Sequence, residues 1–135
     1  MLSLIKTMIN TLKAPGFIGS DSQAMLVNRT IYISGQKSLD TLSGQGVPGG
    51  VAAEAKQALT SVGEILKAAD SDFTNVVKVV VLLAHMNDLN LSMKSANSIS
   101  RVIFLLDVPT RLLALPKGDC VEIEAVAVQE VLMTA

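Results

Sequence analysis

Residues 51–84 read VAAEAKQALTSVGEILKAADSDFTNVVKVVVLLA, and this stretch decides the architecture. Its first part carries apolar side chains at Val51, Ala55, Ala58, Leu59, Val62, Ile65, Leu66 and Ala69. That stripe has helical period and predicts an amphipathic helix from Val51 to Ala69. Glu54, Lys56, Gln57, Ser61, Glu64 and Lys67 fall mostly on the opposite face, the one expected to meet water. Asn75 to Ala84 is a continuous β-branched run, which predicts a buried strand. A one-faced helix followed at once by a buried strand reads as a helix laid on a sheet.

Working outward toward the start, Leu2 to Ile9 predicts a short strand, broken by Lys13-Ala14-Pro15-Gly16. A loop through Gly19-Ser20-Asp21-Ser22 leads to two β-prone runs, Gln23 to Val27 and Thr30 to Ser34, which flank Asn28-Arg29 as a hairpin. Gly35 to Gly50 reads as a long loop rich in glycine (Gly44, Gly46, Gly49, Gly50) with Pro48. It lacks the Gly-Lys-Ser/Thr ending of a phosphate loop, so its glycines serve turn geometry.

Toward the end, Asn87-Asp88 offers an N-cap for a second helix, with Leu89, Met93, Ala96, Ile99 or Ser100, and Ile103 at helical spacing and Pro109 at its end. Leu112 to Leu115 predicts a strand and Pro116-Lys117-Gly118-Asp119 a turn. Val121 to Val128 predicts a last strand with Glu122 and Glu124 on one face. The order β-ββ-α-β-α-ββ predicts an α+β sandwich: one domain over residues 1–135, a mixed or antiparallel sheet, and two helices on one face.

The 135 residues are 50% hydrophobic and carry 11 basic against 12 acidic side chains, which excludes a disordered chain and leaves no basic footprint for nucleic acid. Aromatics are 3%, too few for a base-stacking platform. The apolar stretch at Val76 to Ala84 is interrupted by Lys78 and is too short to cross a bilayer, which needs about 20 residues. One cysteine, Cys120, excludes an internal disulfide and suits a reducing compartment; with one histidine, His85, it makes no zinc-ligand set. The cytoplasm is the expected location. Lys6 and Lys13, with no acid before Asp21, keep the mitochondrion as an alternative, beside the nucleus. So much apolar side chain in so small a domain implies a subunit interface, hence an oligomer.

Several segments are similar to one known family. Ile31-Tyr32-Ile33-Ser34-Gly35-Gln36, Val47-Pro48-Gly49-Gly50, Asp72-Phe73-Thr74-Asn75-Val76-Val77-Lys78 and Asn87-Asp88 resemble the reactive intermediate deaminase family, also called RidA or YjgF, most closely its mammalian members. So do Ala114-Leu115-Pro116-Lys117-Gly118 and Val121 to Ala127. The resemblance implies a chorismate-mutase-like fold and a homotrimer with a central β-barrel and clefts between subunits. It implies hydrolysis of 2-imino acids such as 2-iminobutanoate and 2-iminopropanoate to 2-keto acids and ammonia, with no metal or organic cofactor, since an activated imine needs neither. An endoribonuclease or translation-inhibitor role on RNA is the first alternative. A non-catalytic carboxylate-binding or chaperone-like trimer is the second.

A carboxylate-bearing substrate calls for an arginine fork, and activation of water calls for a general base. Matched residue by residue, Glu122 takes the position of the family's water-positioning glutamate. Ser34 and Gly35 match the segment whose backbone faces substrate, and Asn87 matches a cleft asparagine. Outside the resemblance, Glu122 reads as an ordinary strand carboxylate, Asn87 as a helix cap and Cys120 as inert.

Two departures matter. Asp21 stands where the family has a cleft tyrosine, an added negative charge beside an anionic substrate. The family arginine follows a Phe-Pro pair; an ungapped match puts Asp107 there, whereas Val108-Pro109-Thr110-Arg111 repeats the pattern four positions later. The ungapped match puts Pro109 inside a strand, where it removes a ladder hydrogen bond. The later match puts it just before one, which favours Arg111. Residues 90–113 otherwise resemble the family little.

Overall fold

A computed structural model describes residues 3–15, 22–37, 39, 43, 45–84, 110–111 and 120–130, with 110–111 given as backbone. Six strands form one sheet: β1 Lys6–Ile9, β2 Ala24–Val27, β3 Thr30–Gln36, β4 Val76–Leu83, β5 Thr110–Arg111 and β6 Val121–Val128. Their order is β1-β2-β3-β6-β4-β5. Every pairing is antiparallel except β4 with β5, which is parallel, so the sheet is mixed as expected.

Helix α1, Gly50–Ala68, lies across β6 and β3. It starts behind Gly49, whose left-handed φ of 113° suits a residue without a Cβ. The expected stripe is buried, from Val51 through Ala55, Ala58, Leu59, Val62 and Ile65 to Leu66. It meets Ile31 and Ile33 of β3, Val81 and Leu83 of β4, and Val121, Ile123, Ala125 and Ala127 of β6. Truncating a fully buried residue here, such as Ile65 or Leu66, costs about 2–5 kcal/mol. Glu54 and Ser61 correct the sequence reading: both are buried rather than on a wet face. At Glu54 the cover is the start of β6, whose Cys120 N–H meets the carboxylate.

The run Val76–Leu83 cannot alternate by composition, and the structure solves this with a bulge. Val76 opposes Ala127 but Lys78 opposes Val126, so Val77 is an extra residue. The shift in parity puts Val76, Val79, Val81 and Leu83 in register with the buried residues of β6 and leaves Lys78 exposed. β4 is therefore two-faced, not buried on both sides as its sequence suggests.

A single 3-10 turn, Phe73–Asn75, joins helix to strand. The Asp72 carboxylate accepts from the Thr74 N–H at 2.8 Å and from the Thr74 hydroxyl, and Asn75 Oδ1 accepts from the Asp72 N–H at 3.0 Å. Asn75 Nδ2 donates to the carbonyls of Val128 and Glu130, tying the turn to the end of β6. Arg29, in the two-residue turn between β2 and β3, pairs with Glu130 at 2.6 Å.

The sheet's second face stays open in one chain. Met8, Met25, Tyr32 and Val126 form a cross-strand row on it, and Tyr32 is 52% exposed. Val80 and Leu82 continue the apolar surface on β4 and are half-buried. The second helix and the strand at Leu112 to Leu115 lie outside the described residues. The strand that is described there is β5, Thr110–Arg111.

Candidate active site

The candidate site forms where β3 ends beside the start of β6. β3 contains a second bulge: Ile33 opposes Ala125 and Gln36 opposes Ile123, so Ser34 and Gly35 together face the single residue Glu124. An extra residue there re-aims the strand end, as bulges beside functional sites commonly do. Gln36 turns inward and is buried, donating from Nε2 to the Ser34 carbonyl at 3.0 Å. The Ser34 N–H donates to the Gln23 carbonyl at 3.0 Å, and its hydroxyl to the Ser22 carbonyl at 3.2 Å. Ser34 is thus held at N–H, hydroxyl and carbonyl by its own chain.

Glu122 is half-buried on the open face of β6, opposite Leu82 of β4. Its side chain lies directly over Gly35: a Cβ built on Gly35 would sit 2.7 Å from Glu122 Cδ and 2.9 Å from Cγ, and closer still to Oε1. The structure therefore brings together three of the residues the sequence singled out, Ser34, Gly35 and Glu122.

β6 is fixed just upstream of that carboxylate. The Cys120 N–H donates to Glu54 Oε1 of α1 at 2.9 Å, and the Cys120 carbonyl accepts from the Ala84 N–H at 3.0 Å. Cys120 thus serves through its backbone. Glu54 went unseen in the sequence because it sits on what periodicity alone labels the wet face. Its one available signal is an acid beside the buried stripe.

Gln23 is the other residue the sequence reading passed over. It is 2% exposed, and its amide is fully used. Oε1 accepts from the Thr11 N–H at 2.6 Å, while Nε2 donates to the carbonyls of Thr11, Ala14 and Pro15 at 3.0, 3.0 and 2.9 Å. It clamps the chain that leads to Asp21, while its own carbonyl and that of Ser22 hold Ser34.

Arg111 stands on the edge strand β5. Thr110 is in register with Leu82 and so shares the cross-strand row of Glu122; Arg111 is in the next row, with Leu83 and Val121. Two strand spacings put the β5 backbone about 10 Å from that of β6. Among the described side chains on the outer face of β4, the cation is Lys78, four rows from Glu122, or about 13 Å along the strand. Asn87, Asp107 and Asp21 lie outside the described residues.

The family model described as Endoribonuclease L-PSP matches residues 11–129. A bovine (Bos taurus) 2-iminobutanoate/2-iminopropanoate deaminase is 58% identical over 139 aligned positions, covering 100% of this chain and 98% of that protein. Among solved structures, RidA from the Antarctic bacterium Psychrobacter superposes with a TM-score of 0.85 at 32% identity, covering 90% of this chain and 98% of that one. E. coli TdcF with bound serine gives 0.85 at 26% identity, covering 92% and 99%. With the signature segments, the mixed sheet under α1 and a family match across almost the whole sequence, this chain belongs to the Endoribonuclease L-PSP family, the RidA/YjgF family of reactive intermediate deaminases.

Proposed function

We propose that this protein hydrolyses 2-iminobutanoate and 2-iminopropanoate to the corresponding 2-keto acids and ammonia. The observation that carries the reading is the full-length likeness to the bovine deaminase at 58% identity. The geometry supports it with a glutamate held over a glycine at the open face of the sheet.

In this reading Glu122 orients a water and takes its proton as the water oxygen bonds to the imine carbon. The π electrons of the C=N bond move to nitrogen, giving a carbinolamine. With the imine entering protonated at nitrogen, Glu122 then returns the water proton to the carbinolamine nitrogen, the C–N bond breaks with loss of ammonia, and the hydroxyl proton passes to Glu122 as the carbonyl forms, leaving with the ammonia as ammonium. General-base assistance of this kind contributes about 10²–10⁴-fold. Gly35 offers a backbone that substrate can approach closely, and Asn87 keeps the substrate-binding role that the family resemblance implies.

Arg111 is assigned to the substrate carboxylate. Two observations support it over Asp107. Thr110 and Arg111 form β5, in keeping with the match that has a strand following Pro109 in the sequence. The alignment with the bovine relative has 139 positions against 135 residues here, leaving four opposite gaps in this chain, as many as the Arg111 placement requires downstream.

The same reading makes the protein a homotrimer. Its support is the open apolar face of Met8, Met25, Tyr32 and Val126, which in water would remain a costly patch. In this reading the edge strand that carries Arg111 borders a cleft completed by a neighbouring copy. RNA cleavage finds little support in a chain of net charge −1 with 3% aromatic residues.

The test is keto-acid release from 2-iminobutanoate generated in situ by a threonine dehydratase, for the wild type and Arg111→Ala. Acceleration by the wild type that the variant loses supports both the activity and the arginine. Equal acceleration by both overturns the arginine assignment. No acceleration by a well-folded wild type overturns the activity.

A further inference from the structure

Gly35 has no backbone reason to be glycine. The positive-φ residues among those described are Asn28, Gly49, Gly50 and Asp70, so Gly35 holds a conformation open to any residue. What sets it apart is space. The bulge at Ser34–Gly35 turns two successive residues toward the open face, and the direction in which a Gly35 side chain would point is occupied by Glu122. Three atoms of that side chain, Cγ, Cδ and Oε1, lie within 3 Å of where the Cβ would be. Neither backbone nearby can yield easily: Ser34 is held by Gln23, Ser22 and Gln36, and β6 is anchored through Cys120 to Glu54 and Ala84. The carboxylate is the part that must move.

We propose that Gly35 is a positioning residue for Glu122: the missing Cβ is the seat in which the carboxylate rests, and the β3 bulge exists at this point to present that seat. The inference rests on the reading of Glu122 as the water-activating base. It goes further by giving Gly35 a role toward the enzyme's own carboxylate, distinct from backbone contact with substrate. It also makes the pair interdependent, since a Cβ at 35 is accommodated only by displacing or shortening the side chain at 122.

The test is a double-mutant cycle of Gly35→Ala and Glu122→Ala, read by imine hydrolysis and by the urea unfolding midpoint at fixed protein concentration. In the wild-type background Gly35→Ala is expected to lower kcat about 10²-fold, the scale of an ångström-sized displacement of a catalytic group, with KM changed less than about threefold. In the Glu122→Ala background that loss disappears. Adding Glu122→Ala to Gly35→Ala also moves the unfolding midpoint back up, which keeps the test decisive if Gly35→Ala folds too poorly to assay. Equal losses in both backgrounds, no loss in the wild-type background, or a double variant less stable than Gly35→Ala alone would each overturn the seat. If Glu122→Ala hydrolyses imine at the wild-type rate, the assignment of Glu122 fails instead, and the midpoint cycle still reports on the contact.

Discussion

Replacing Gln23 by glutamate swaps one amide N–H₂ for an oxygen at nearly constant shape, which isolates what that group contributes. Nε2 faces three carbonyls, of Thr11, Ala14 and Pro15, at 3.0 Å or less in a site only 2% exposed. The acceptor side survives, because either glutamate oxygen can take the Thr11 N–H. A protonated glutamate keeps one donor and loses about one hydrogen bond, or about 1 kcal/mol. An ionised one has none, and it sets a charge against three carbonyl oxygens.

The buried carboxyl therefore titrates above its unfolded value of about 4.3. With the folded value raised, the variant is penalised least below the unfolded value. The penalty grows by up to about 1.4 kcal/mol per pH unit until the folded value is passed. A raise of about two units makes the total cost about 3–4 kcal/mol at pH 7, against about 1 kcal/mol at pH 4. That is a large part of a domain stability of about 5–15 kcal/mol. The assay is urea unfolding of wild type and Gln23→Glu at pH 4, 5.5 and 7, at one protein concentration. A cost that is below 1 kcal/mol throughout, or independent of pH, would refute the clamp.

Three further outcomes follow from other buried or capped groups. The Ser61 hydroxyl is buried with no hydrogen-bond partner among the described residues, so Ser61→Ala is expected to stabilise by about 0.5–1 kcal/mol through desolvation and helix propensity. A loss above 1 kcal/mol in thermal or urea unfolding contradicts this. Glu54→Ala removes the acceptor for the Cys120 N–H and should cost about 1.5–3 kcal/mol, while Glu54→Gln, which keeps an acceptor oxygen, should recover at least half; equal losses would show that the bond is not what matters. The Thr74 hydroxyl and N–H hold the Asp72 carboxyl below the ordinary aspartate range. A lowered folded value means stability that is present above about pH 4 and lost as pH falls through it. The gap in urea midpoint between wild type and Asp72→Asn should accordingly stay level from pH 8 to 5 and narrow below pH 4. A gap unchanged down to pH 2 contradicts the assignment.

What the sequence makes legible is whatever repeats within one element. The stripe from Val51 to Leu66 and the alternation of Val121 to Val128 put the helix and last strand where the structure has them, with Glu122 and Glu124 on the open face. What it hides depends on residues far apart. Glu54 reads as a surface acid until α1 is laid against the start of β6, 66 residues away. Gln23 reads as a polar strand end until the chain at 11–15 folds back over it. The bulges at Val77 and at Ser34–Gly35 leave no mark in the periodicity, yet one makes β4 two-faced and the other makes the seat for Glu122. The Asp72-Phe73-Thr74-Asn75 segment is a family signature whose visible work is structural, a capped turn tied to the end of β6. A resemblance can therefore point to the right residues without separating those that do chemistry from those that hold it in place.

The account turns on a single carboxylate, and the most direct measurement is the steady-state rate of 2-iminobutanoate hydrolysis by the wild type and by Glu122→Gln, a replacement of matched shape that cannot accept the proton. The account predicts a fall in kcat of about 10²–10⁴-fold, with the unfolding midpoint little changed. A Glu122→Gln protein that folds and turns over at the wild-type rate would contradict it.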